Sequence, residues 1–508
     1  MTEAINTAGT ADHCKTPWGI VRAHGLMTTH LVIGVFAVFA VSAVLMAVGT
    51  AASAKDLPEP VRAALARAGV PPSAASVVVE PVGDGPVLVS HEAKAAVNPA
   101  SVMKLITTYA ALDLLGPAFT FRTDFLLQGT LASGVLDGNL VIRGGGDPKL
   151  TFDNLWRALH QLRSRGLREI RGDVIVDRGY FAPTPHDPGR FDNEPRRAYN
   201  VGTDAFLVNF QAVNFTVVPT GDSARIVPEP DFPNVQIVSR IVLTKEPCRD
   251  WRRALKPEFD ENGLIVTATF SGNYAAACGE KSWPLAILDG PRYSEAALRW
   301  LWSESGGTLR GKVRAAPTPT DAVLFYRHES EPLASLVRDT NKFSNNVMAR
   351  HMFLALSAER GTGPGEAKAS ERVVREWLKA RGIEARELSI ENGSGLSRTD
   401  RVSAATIAQL LRNAWGSALM PELTASLPVF AVDGTLKLRA GGGAGGQAHL
   451  KGGTLTGVQS MAGYVLDARG RRWVVVMIVN HPGANAAQPA LDALVEWVHR
   501  LPVEGAPR

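Results

Sequence analysis

The sequence predicts an α/β fold of the α+β type, in which both ends of the chain build one domain around a β-rich insertion. Two observations support this architecture. Strand-like apolar runs next to helical patterns occur near the start, from residue 76, and near the end, from residue 450. Between about residues 125 and 284, short β-like segments separated by turn residues dominate. We therefore expect a leader (1–54), a first part of the domain (55–124), the insertion (125–284) and a second part (285–508).

Three elements are expected in the first part of the domain. Asp56 can cap a short amphipathic helix that runs through Arg67 and ends at Gly69. Residues 76–79 and 87–90 are expected to form the two strands of a β-hairpin, joined by a Gly- and Pro-containing turn. Asn98 then has the character of an N-cap and Pro99 that of a first helical residue, so an apolar helix should run from there to the stop at Gly116.

Along the rest of the chain the predicted secondary structure changes from mainly strands to mainly helices, and then to three strands and a final helix. One helix, at 152–165, interrupts the β-like segments of the insertion. Those segments are 125–128, 139–143, 173–176, 214–218, 235–242 and 264–270. Helical periodicity resumes at 292–304 and is expected to dominate to about residue 427. Three strands (450–451, 461–466 and 472–480) and a final helix (488–500) are expected to complete the domain.

The N-terminal region has the pattern of an export signal. Residues 31–48 form an almost unbroken apolar run, and Ala52-Ser53-Ala54 is a small-x-small cleavage pattern. We expect a cleaved signal peptide; the alternative is an uncleaved N-terminal anchor, and loose membrane association stays open. In both cases the protein is expected to be periplasmic or otherwise extracytoplasmic.

Charge and cysteine content restrict the partners. The net charge of +5 is a small excess for 508 residues, and without a dense Lys/Arg run nucleic acid binding is not expected. Cys14 lies in the leader, whereas Cys248 and Cys278 form an even pair in the exported part. An oxidising compartment favours a disulfide between them, the alternative being two unrelated buried thiols. No Cys/His spacing resembles a metal site, and no cofactor is expected.

The chemistry of the chain is expected to centre on Ser101 and Lys104. Both lie in the first turns of the predicted buried helix, three residues apart and therefore on the same face. A hydroxyl at a helix N-terminus meets unpaired backbone N–H groups and the positive end of the helix dipole. An amine one turn away can accept the serine proton, which would make Ser101 a nucleophile.

Two further motifs strengthen this interpretation. Ser344 and Asn346 lie in a loop between two predicted helices, where a hydroxyl can relay a proton and an amide can hold a carbonyl. Lys451, Gly453 and Thr454 lie on a predicted strand, whose edge can pair with an extended peptide. The lysine supplies positive charge for a carboxylate, and the glycines allow a close approach.

Taken in order, Ser-x-x-Lys, Ser-x-Asn and a lysine motif on a strand resemble the signature of penicillin-binding proteins and serine β-lactamases. Four flanking stretches resemble the D-alanyl-D-alanine carboxypeptidase/endopeptidase family, low-molecular-mass penicillin-binding proteins of the class C type. These stretches are 144–148, 171–177, 391–398 and 432–436. A long insertion also separates the first two motifs in that family. The resemblance implies a transpeptidase-like catalytic domain that acts on peptidoglycan stem peptides and is acylated by β-lactam antibiotics.

The resemblance also implies a role for each motif residue. Ser101 would form the acyl-enzyme, Lys104 would be its general base, and Ser344 would pass the proton to the leaving amine. Asn346 would bind the substrate amide, and Lys451 would face the terminal carboxylate and help to keep Lys104 neutral. The backbone N–H groups of Ser101 and Thr454 would form the oxyanion hole.

The sequence departs from the family pattern in two places. Gly452 stands where the third motif usually has a hydroxyl, so one hydrogen bond to the substrate carboxylate is missing or moved to Thr454. Asn345 replaces the commoner Asp of the second motif, in a role that is expected to be structural.

Residues outside the three motifs have two interpretations each. Arg398 is expected to contact the peptide or to form a structural ion pair. Asp177 is expected to face the amine of a diamino-acid side chain or to cap a turn. Asp147 and Asp433 are expected to form turns, and His351, on an apolar helix, is expected to be a packing residue.

Three functions compete at this point. The first is a D-Ala-D-Ala carboxypeptidase, with or without D,D-endopeptidase activity. The second is a serine β-lactamase, which is disfavoured because no E-x-x-L-N element lies between Asn346 and Lys451. The third is a catalytically weak peptidoglycan-binding homologue, suggested by Gly452. The sequence leaves the oligomeric state and the preference between carboxypeptidase and endopeptidase open.

Overall fold

The computed structural model describes residues 56–263 and 265–501, and the leader and its expected signal lie outside them. The α-helices are α1 (Glu59–Arg67), α2 (Lys104–Leu115), α3 (Phe152–Ser164), α4 (Trp251–Ala254), α5 (Gly290–Glu304), α6 (Leu333–Lys342), α7 (Asn346–Arg360), α8 (Ala367–Ala380), α9 (Ala404–Trp415), α10 (Met420–Ser426) and α11 (Gln488–His499). Among the described residues no helix combines the length and apolar character needed to cross a membrane.

The strands build three sheets. They are β1 (Ala75–Pro81), β2 (Val89–His91), β3 (Arg122–Ala132), β4 (Val135–Arg143), β5 (Glu169–Ile170), β6 (Val174–Asp177), β7 (Val213–Thr220), β8 (Ser223–Glu229), β9 (Val235–Thr244), β10 (Leu255–Asn262), β11 (Ile265–Ala275), β12 (Lys281–Leu285), β13 (Thr308–Leu309), β14 (Val313–Ala315), β15 (Val323–Glu329), β16 (Ala448–Leu455), β17 (Val458–Leu466) and β18 (Arg472–Asn480).

The first sheet joins the two ends of the chain. Its five strands follow the order β16-β17-β18-β1-β2, so β18 lies between a C-terminal and an N-terminal strand. The antiparallel register pairs Ala75 with Val479, and β2 closes the expected hairpin against β1. The prediction that both ends of the chain build one domain is therefore confirmed.

Helices cover both faces of this sheet. Side chains alternate along a strand, and in β18 Val474 and Val476 pack under α2, α7 and α9, whereas Val475 and Met477 pack under α1 and α11. A strand buried on both faces needs apolar residues at nearly every position, which explains the continuous run of valines. Helix α2 is itself buried around most of its circumference, so it is held between the sheet and the outer helices.

The chain enters α2 through one tighter turn. Asn98 Oδ1 accepts a hydrogen bond of 2.9 Å from the backbone N–H of Ala100, so Asn98 acts as the expected cap. The expectation that the α-helix starts at Pro99 is wrong: residues Ala100–Met103 form a 3₁₀ turn, and the α-helix begins at Lys104. The φ of Ala100 is +46°, in the left-handed region, which prevents a continuous right-handed helix there. Ser101 thus lies in the 3₁₀ turn.

The inserted region contains the other two sheets. One has six strands in the order β10-β11-β9-β8-β7-β12, and the other is built on β13-β5-β4-β3-β15 with β6 and β14 attached. Each β-like segment expected in the insertion corresponds to a described strand, although Leu264, the first residue of the last segment, lies outside the described residues. Cys248 and Cys278 are disulfide-bonded, as expected.

Three strands between residues 308 and 329 were not expected. Helices do dominate between residues 292 and 427 as expected, but β13, β14 and β15 interrupt them and pair with β5, β6 and β3. Two of these strands are only two or three residues long, and their stability comes from partners distant in sequence rather than from a local pattern. We therefore propose that the inserted region continues to Glu329.

Candidate active site

The amine of Lys104 is the centre of the site. Its side chain is fully buried, and Nζ lies 3.0 Å from Ser101 Oγ, 2.6 Å from Asn346 Oδ1 and 2.5 Å from the carbonyl oxygen of Ser394. The amide and main-chain carbonyl oxygens can only accept hydrogen bonds, whereas the serine hydroxyl can also donate one. A neutral amine therefore gives its two hydrogens to Asn346 and Ser394 and directs its lone pair at the Ser101 hydroxyl.

The surroundings favour this neutral amine. Burial lowers the pKa of Lys104 well below its usual value, and the positive charges of Lys451 and Arg350 lower it further, against the opposing charge of Asp400. Burial also lowers the pKa of Lys451, to about 7. Both amines therefore lose their proton at a lower pH than an exposed lysine does.

Ser344 and Asn346 are positioned by a tight turn between α6 and α7. Asn345 Oδ1 accepts a hydrogen bond of 3.1 Å from the Met348 N–H and caps α7, so its expected structural role is confirmed. The φ of Ser344 is +55°, a conformation that costs a non-glycine residue on the order of 1 kcal/mol. This turn directs the Ser344 hydroxyl at Lys451 Nζ, 2.8 Å away, and the Asn346 amide at Lys104.

Lys451 lies on β16, an edge strand of the first sheet. Its buried Nζ also donates to the carbonyl oxygen of Gly452 at 2.6 Å. The segment that follows α10 covers the first half of this edge, since Leu450 N–H donates to Pro428 O and Ala448 O accepts from Phe430 N–H. Backbone groups alternate along a strand, so Thr454 N–H points to this same side, beyond the covered half.

Gly453 on β16 and Gly395 in the loop between α8 and α9 allow these two elements to approach the turn that carries Ser101. A Cβ on Gly453 would lie 2.7 Å from Ser101 N and 2.5 Å from Ser460 Oγ. A Cβ on Gly395 would lie 1.9 Å from the carbonyl oxygen of Ala100, and the φ of Gly395 is +77°. Gly453 is therefore required by contacts within the protein, and so is Gly395, which was not expected to be functional.

These elements enclose a cleft of about 370 Å³. Members of all three motifs line it, together with two residues of β17, four from the loop after α10 and one from α11. The lining residues are Ser101, Ser344, Gly452, Gly453, Thr454, Gln459, Ser460, Thr435, Leu436, Leu438, Arg439 and Gln488. Lys104, Asn346 and Lys451 are connected by hydrogen bonds to Ser101 and Ser344 of the lining. The structure thus brings the five expected catalytic residues together at one cleft.

A model of the D-Ala-D-Ala carboxypeptidase 3 (S13) family matches residues 58–501. The chain belongs to this family. Membership confirms the enzyme class expected from the three motifs, that of a serine-type D-Ala-D-Ala carboxypeptidase.

Curated relatives agree with this assignment. The S13 chain is 25% identical over 420 residues to the D-alanyl-D-alanine carboxypeptidase DacB of Haemophilus influenzae, covering 79% of this chain and 84% of the relative. It is 27% identical over 474 residues to a D-alanyl-D-alanine carboxypeptidase of an Actinomadura species, covering 89% and 86%.

A solved structure confirms the expected penicillin-binding fold. Penicillin binding protein 4 from Haemophilus influenzae superimposes with a TM-score of 0.71 at 23% identity, over 84% of this S13 chain and 96% of that protein. The same Haemophilus protein has also been solved in complex with a β-lactam.

Arg398 and Asp177 have protein partners of their own. Arg398 donates to the carbonyl oxygen of Thr456 at 3.1 Å, and its guanidinium lies 4.5 Å from the ring centre of Phe191. Asp177 accepts hydrogen bonds from the Gly179 N–H and from both the N–H and the hydroxyl of Thr318. Neither residue lines the cleft around Ser101. Their expected substrate contacts stay predictions. The contacts of Asp177 match the turn-capping alternative, whereas Arg398 has a carbonyl and an aromatic ring as partners and no ion pair among the described residues.

The three remaining polar residues have the expected structural roles. Asp147 Oδ1 accepts from the Lys149 N–H two residues on, and Asp433 Oδ1 accepts from the Val429 N–H. Asp433 also pairs with Lys342 at 2.5 Å, which ties α6 to the loop that lines the cleft. His351 is fully buried, with its ring 5.3 Å from that of Phe181, and burial lowers its pKa to about 4.

Sequence reasoning named the stretch 391–398 but missed the role of the Ser394 carbonyl oxygen within it. Asp400 Oδ1 accepts from the Glu391 N–H at 2.7 Å and closes this loop under Lys104. A carbonyl oxygen carries no side-chain signal, and only the paired glycines of the loop indicated a constrained backbone. The side chains of Arg439 and Gln488 were missed as well, because neither belongs to a motif.

The depressed pKa values of the two lysines predict a bell-shaped pH profile for acylation by benzylpenicillin, because Lys104 is required neutral and Lys451 charged. The rate should rise as the pH increases through the depressed pKa of Lys104, because only the neutral amine accepts the Ser101 proton. It should fall again above about pH 7, as Lys451 loses the charge that attracts the penicillin carboxylate. Stopped-flow acylation from pH 5 to 9, with circular dichroism at each pH as the control for folding, tests this; a flat profile would contradict it.

Substitution of Gly395 should damage catalysis without touching a catalytic side chain. Gly395→Ala forces its Cβ into Ala100 O and displaces the turn of Ser101, which should slow acylation about 100-fold. Gly416→Ala is the matched control, since Gly416 has a φ of −79° and no atom within 3.8 Å of the added Cβ. Equal acylation rates in the two variants would refute the close approach as a requirement.

Proposed function

We propose that this enzyme hydrolyses the peptide bond between the two terminal D-alanines of peptidoglycan stem peptides through an acyl-enzyme on Ser101. The observation that carries the proposal is the arrangement of Lys104 Nζ, whose two carbonyl partners leave only the Ser101 hydroxyl to meet its lone pair. General-base activation of a serine by a neutral lysine needs this geometry and a depressed lysine pKa.

Acylation begins when Lys104 Nζ takes the hydroxyl proton of Ser101 and Oγ bonds to the carbonyl carbon of the penultimate D-alanine. The carbonyl oxygen becomes an oxyanion. Collapse of this intermediate breaks the C–N bond, and the proton on Lys104 passes through the Ser344 hydroxyl to the leaving nitrogen. D-alanine departs as a neutral amine with its carboxylate, and Ser101 holds the rest of the peptide as an ester.

The oxyanion is stabilised by the N–H groups of Ser101 and Thr454. Gly453 brings β16 against the backbone nitrogen of Ser101, and the strand alternation turns the next N–H, that of Thr454, away from β17. Two such donors, fixed before the reaction and shielded from water, are worth several kcal/mol of barrier, on the order of 3 kcal/mol each.

The substrate backbone pairs with the open half of β16 as an added strand. The amide of Asn346 fixes the peptide from the opposite wall, and the Lys451 ammonium attracts the terminal carboxylate. Occupation by this anion raises the pKa of Lys451 and keeps its charge in place, which in turn keeps Lys104 neutral.

Deacylation reverses the proton path. A water molecule gives its proton to Lys104 as its oxygen attacks the ester carbonyl, and the Ser101 oxygen recovers a proton as the peptide leaves. A β-lactam ring presents a strained amide and a carboxylate to the same groups, so penicillins acylate Ser101. The same steps with a larger amine as leaving group give a D,D-endopeptidase reaction on cross-linked stem peptides.

The location of the substrate implies that the protein works outside the cytoplasm. The apolar run at 31–48 and the disulfide between Cys248 and Cys278 support export. Export by a signal peptide, with or without loose attachment to the membrane, is part of the proposal.

Replacement of the nucleophile tests the proposal directly. Ser101→Ala should abolish the covalent adduct formed with benzylpenicillin and the release of D-alanine from a D-Ala-D-Ala peptide. Intact-protein mass spectrometry and peptide mapping measure the adduct. Ser460→Ala, which alters a hydroxyl of the same cleft, is the control and should still be labelled. An adduct that persists in Ser101→Ala, on any residue, would refute the assignment.

Restoring the missing hydroxyl should increase turnover. A Cβ on Gly452 would meet only the tip of Leu436, at 3.3 Å, so Gly452→Thr can be accommodated by a small side-chain shift. A new hydrogen bond to the terminal carboxylate should raise kcat/KM for a D-Ala-D-Ala peptide about tenfold or more. Gly452→Val has the same shape without the hydroxyl and is the matched control. An unchanged or lower kcat/KM in Gly452→Thr would mean that another group already takes this role.

A further inference from the structure

The donors that would hold a substrate carboxylate in this cleft are few. Gly452 has no side chain, and the Thr454 hydroxyl donates to Gln459 Oε1 at 3.0 Å. Lys451 gives two of its three N–H bonds to Ser344 Oγ and Gly452 O, which leaves one for a ligand. A carboxylate has about four acceptor sites, so a single N–H would leave most of them unsatisfied.

Apart from Lys451, Arg439 is the only cationic side chain among the described residues at this cleft. Its side chain is 9% exposed, and Nε donates to Asp492 Oδ1 at 2.9 Å. The Nη1 and Nη2 groups have no hydrogen-bond partner among the described residues. The guanidinium is thus anchored at one edge, while its other donors are free at the cleft.

The position of Arg439 is linked to that of Gly452. The backbone N–H of Arg439 donates to the carbonyl oxygen of Leu436 at 3.2 Å, and the Leu436 side chain covers the place of the missing Gly452 side chain. The loop that fills the space at Gly452 is therefore the loop that presents the guanidinium.

We propose that Arg439 binds the terminal carboxylate of the substrate through its Nη groups and compensates in part for the hydroxyl missing at Gly452. This inference rests on the proposed function, because it assigns a ligand group to the same cleft. A planar guanidinium can donate two parallel hydrogen bonds to one carboxylate, which a lysine cannot. Asp492 acts as a positioning residue that holds the guanidinium in place from α11.

The test compares two acylating agents that differ only in the carboxylate, benzylpenicillin and its methyl ester. In the wild-type protein the acid should acylate Ser101 much faster than the ester. Arg439→Gln should slow the reaction with the acid about 10- to 100-fold and leave the reaction with the ester within about twofold. Arg439→Lys, which keeps the charge but not the planar pair of donors, should recover part of the preference for the acid.

Asp492→Asn is the matched control, because it weakens the ion pair while keeping the guanidinium. It should retain most of the preference for the acid. If Arg439→Gln slows both agents equally, or slows neither, or if wild-type protein shows no preference, Arg439 does not bind the carboxylate. Circular dichroism identifies variants that fail to fold, and Arg439→Lys then decides the result.

This experiment also separates the inference from the proposed function. Acylation of wild-type protein that shows the Arg439-dependent preference, without release of D-alanine from peptides, would overturn the proposed reaction and leave the carboxylate site standing. Turnover of D-Ala-D-Ala peptides by Arg439→Gln at the wild-type kcat/KM would overturn the carboxylate site and leave the reaction standing.

Discussion

The geometry of the active site depends on the burial of one amine, that of Lys104. An ammonium group taken out of water is expensive, by several kcal/mol even after the protein relaxes, so Lys104 in its closed position favours the neutral form. Neutrality alone would not make it a base, because the lone pair also has to point at the hydroxyl. The carbonyl oxygens of Asn346 and Ser394 provide that direction, since each can accept a hydrogen but cannot give one.

The inserted region contacts the loop that supplies the Ser394 carbonyl. Asn98 Nδ2 donates to Ser397 O at 2.8 Å from within the catalytic domain. From the other side, the ring of Phe191, in the insertion, lies against Arg398 of the same loop. The loop beside Lys104 is thus held by both parts of the chain, and the insertion forms part of the support of the candidate active site.

The three motifs could be predicted because their chemistry resides in side chains at short, fixed spacings. Ser101 and Lys104 share one helix face, and Ser344 and Asn346 share one turn. Secondary structure was predictable where a local pattern indicated it, as in the apolar runs of β1 and β18. Strands β13, β14 and β15 were not, because distant partners rather than their own residues keep them extended. The same limit hid Ser394 and Arg439, whose relation to Lys104 and Gly452 exists only in three dimensions.

The order in which the strands of the first sheet can pair determines when the site is assembled. Helix α2 can form from residues that are close in sequence. Strand β1, in contrast, joins the sheet only when β18 pairs with it, with Ala75 opposite Val479. Loop closure over so much chain is slow, and the insertion can fold into its own two sheets before it happens. Lys451 arrives with the last strands, so a nascent or truncated chain carries Ser101 and Lys104 without Lys451 or the Thr454 N–H. The proposed site is therefore assembled only after β16, β17 and β18 have been synthesised.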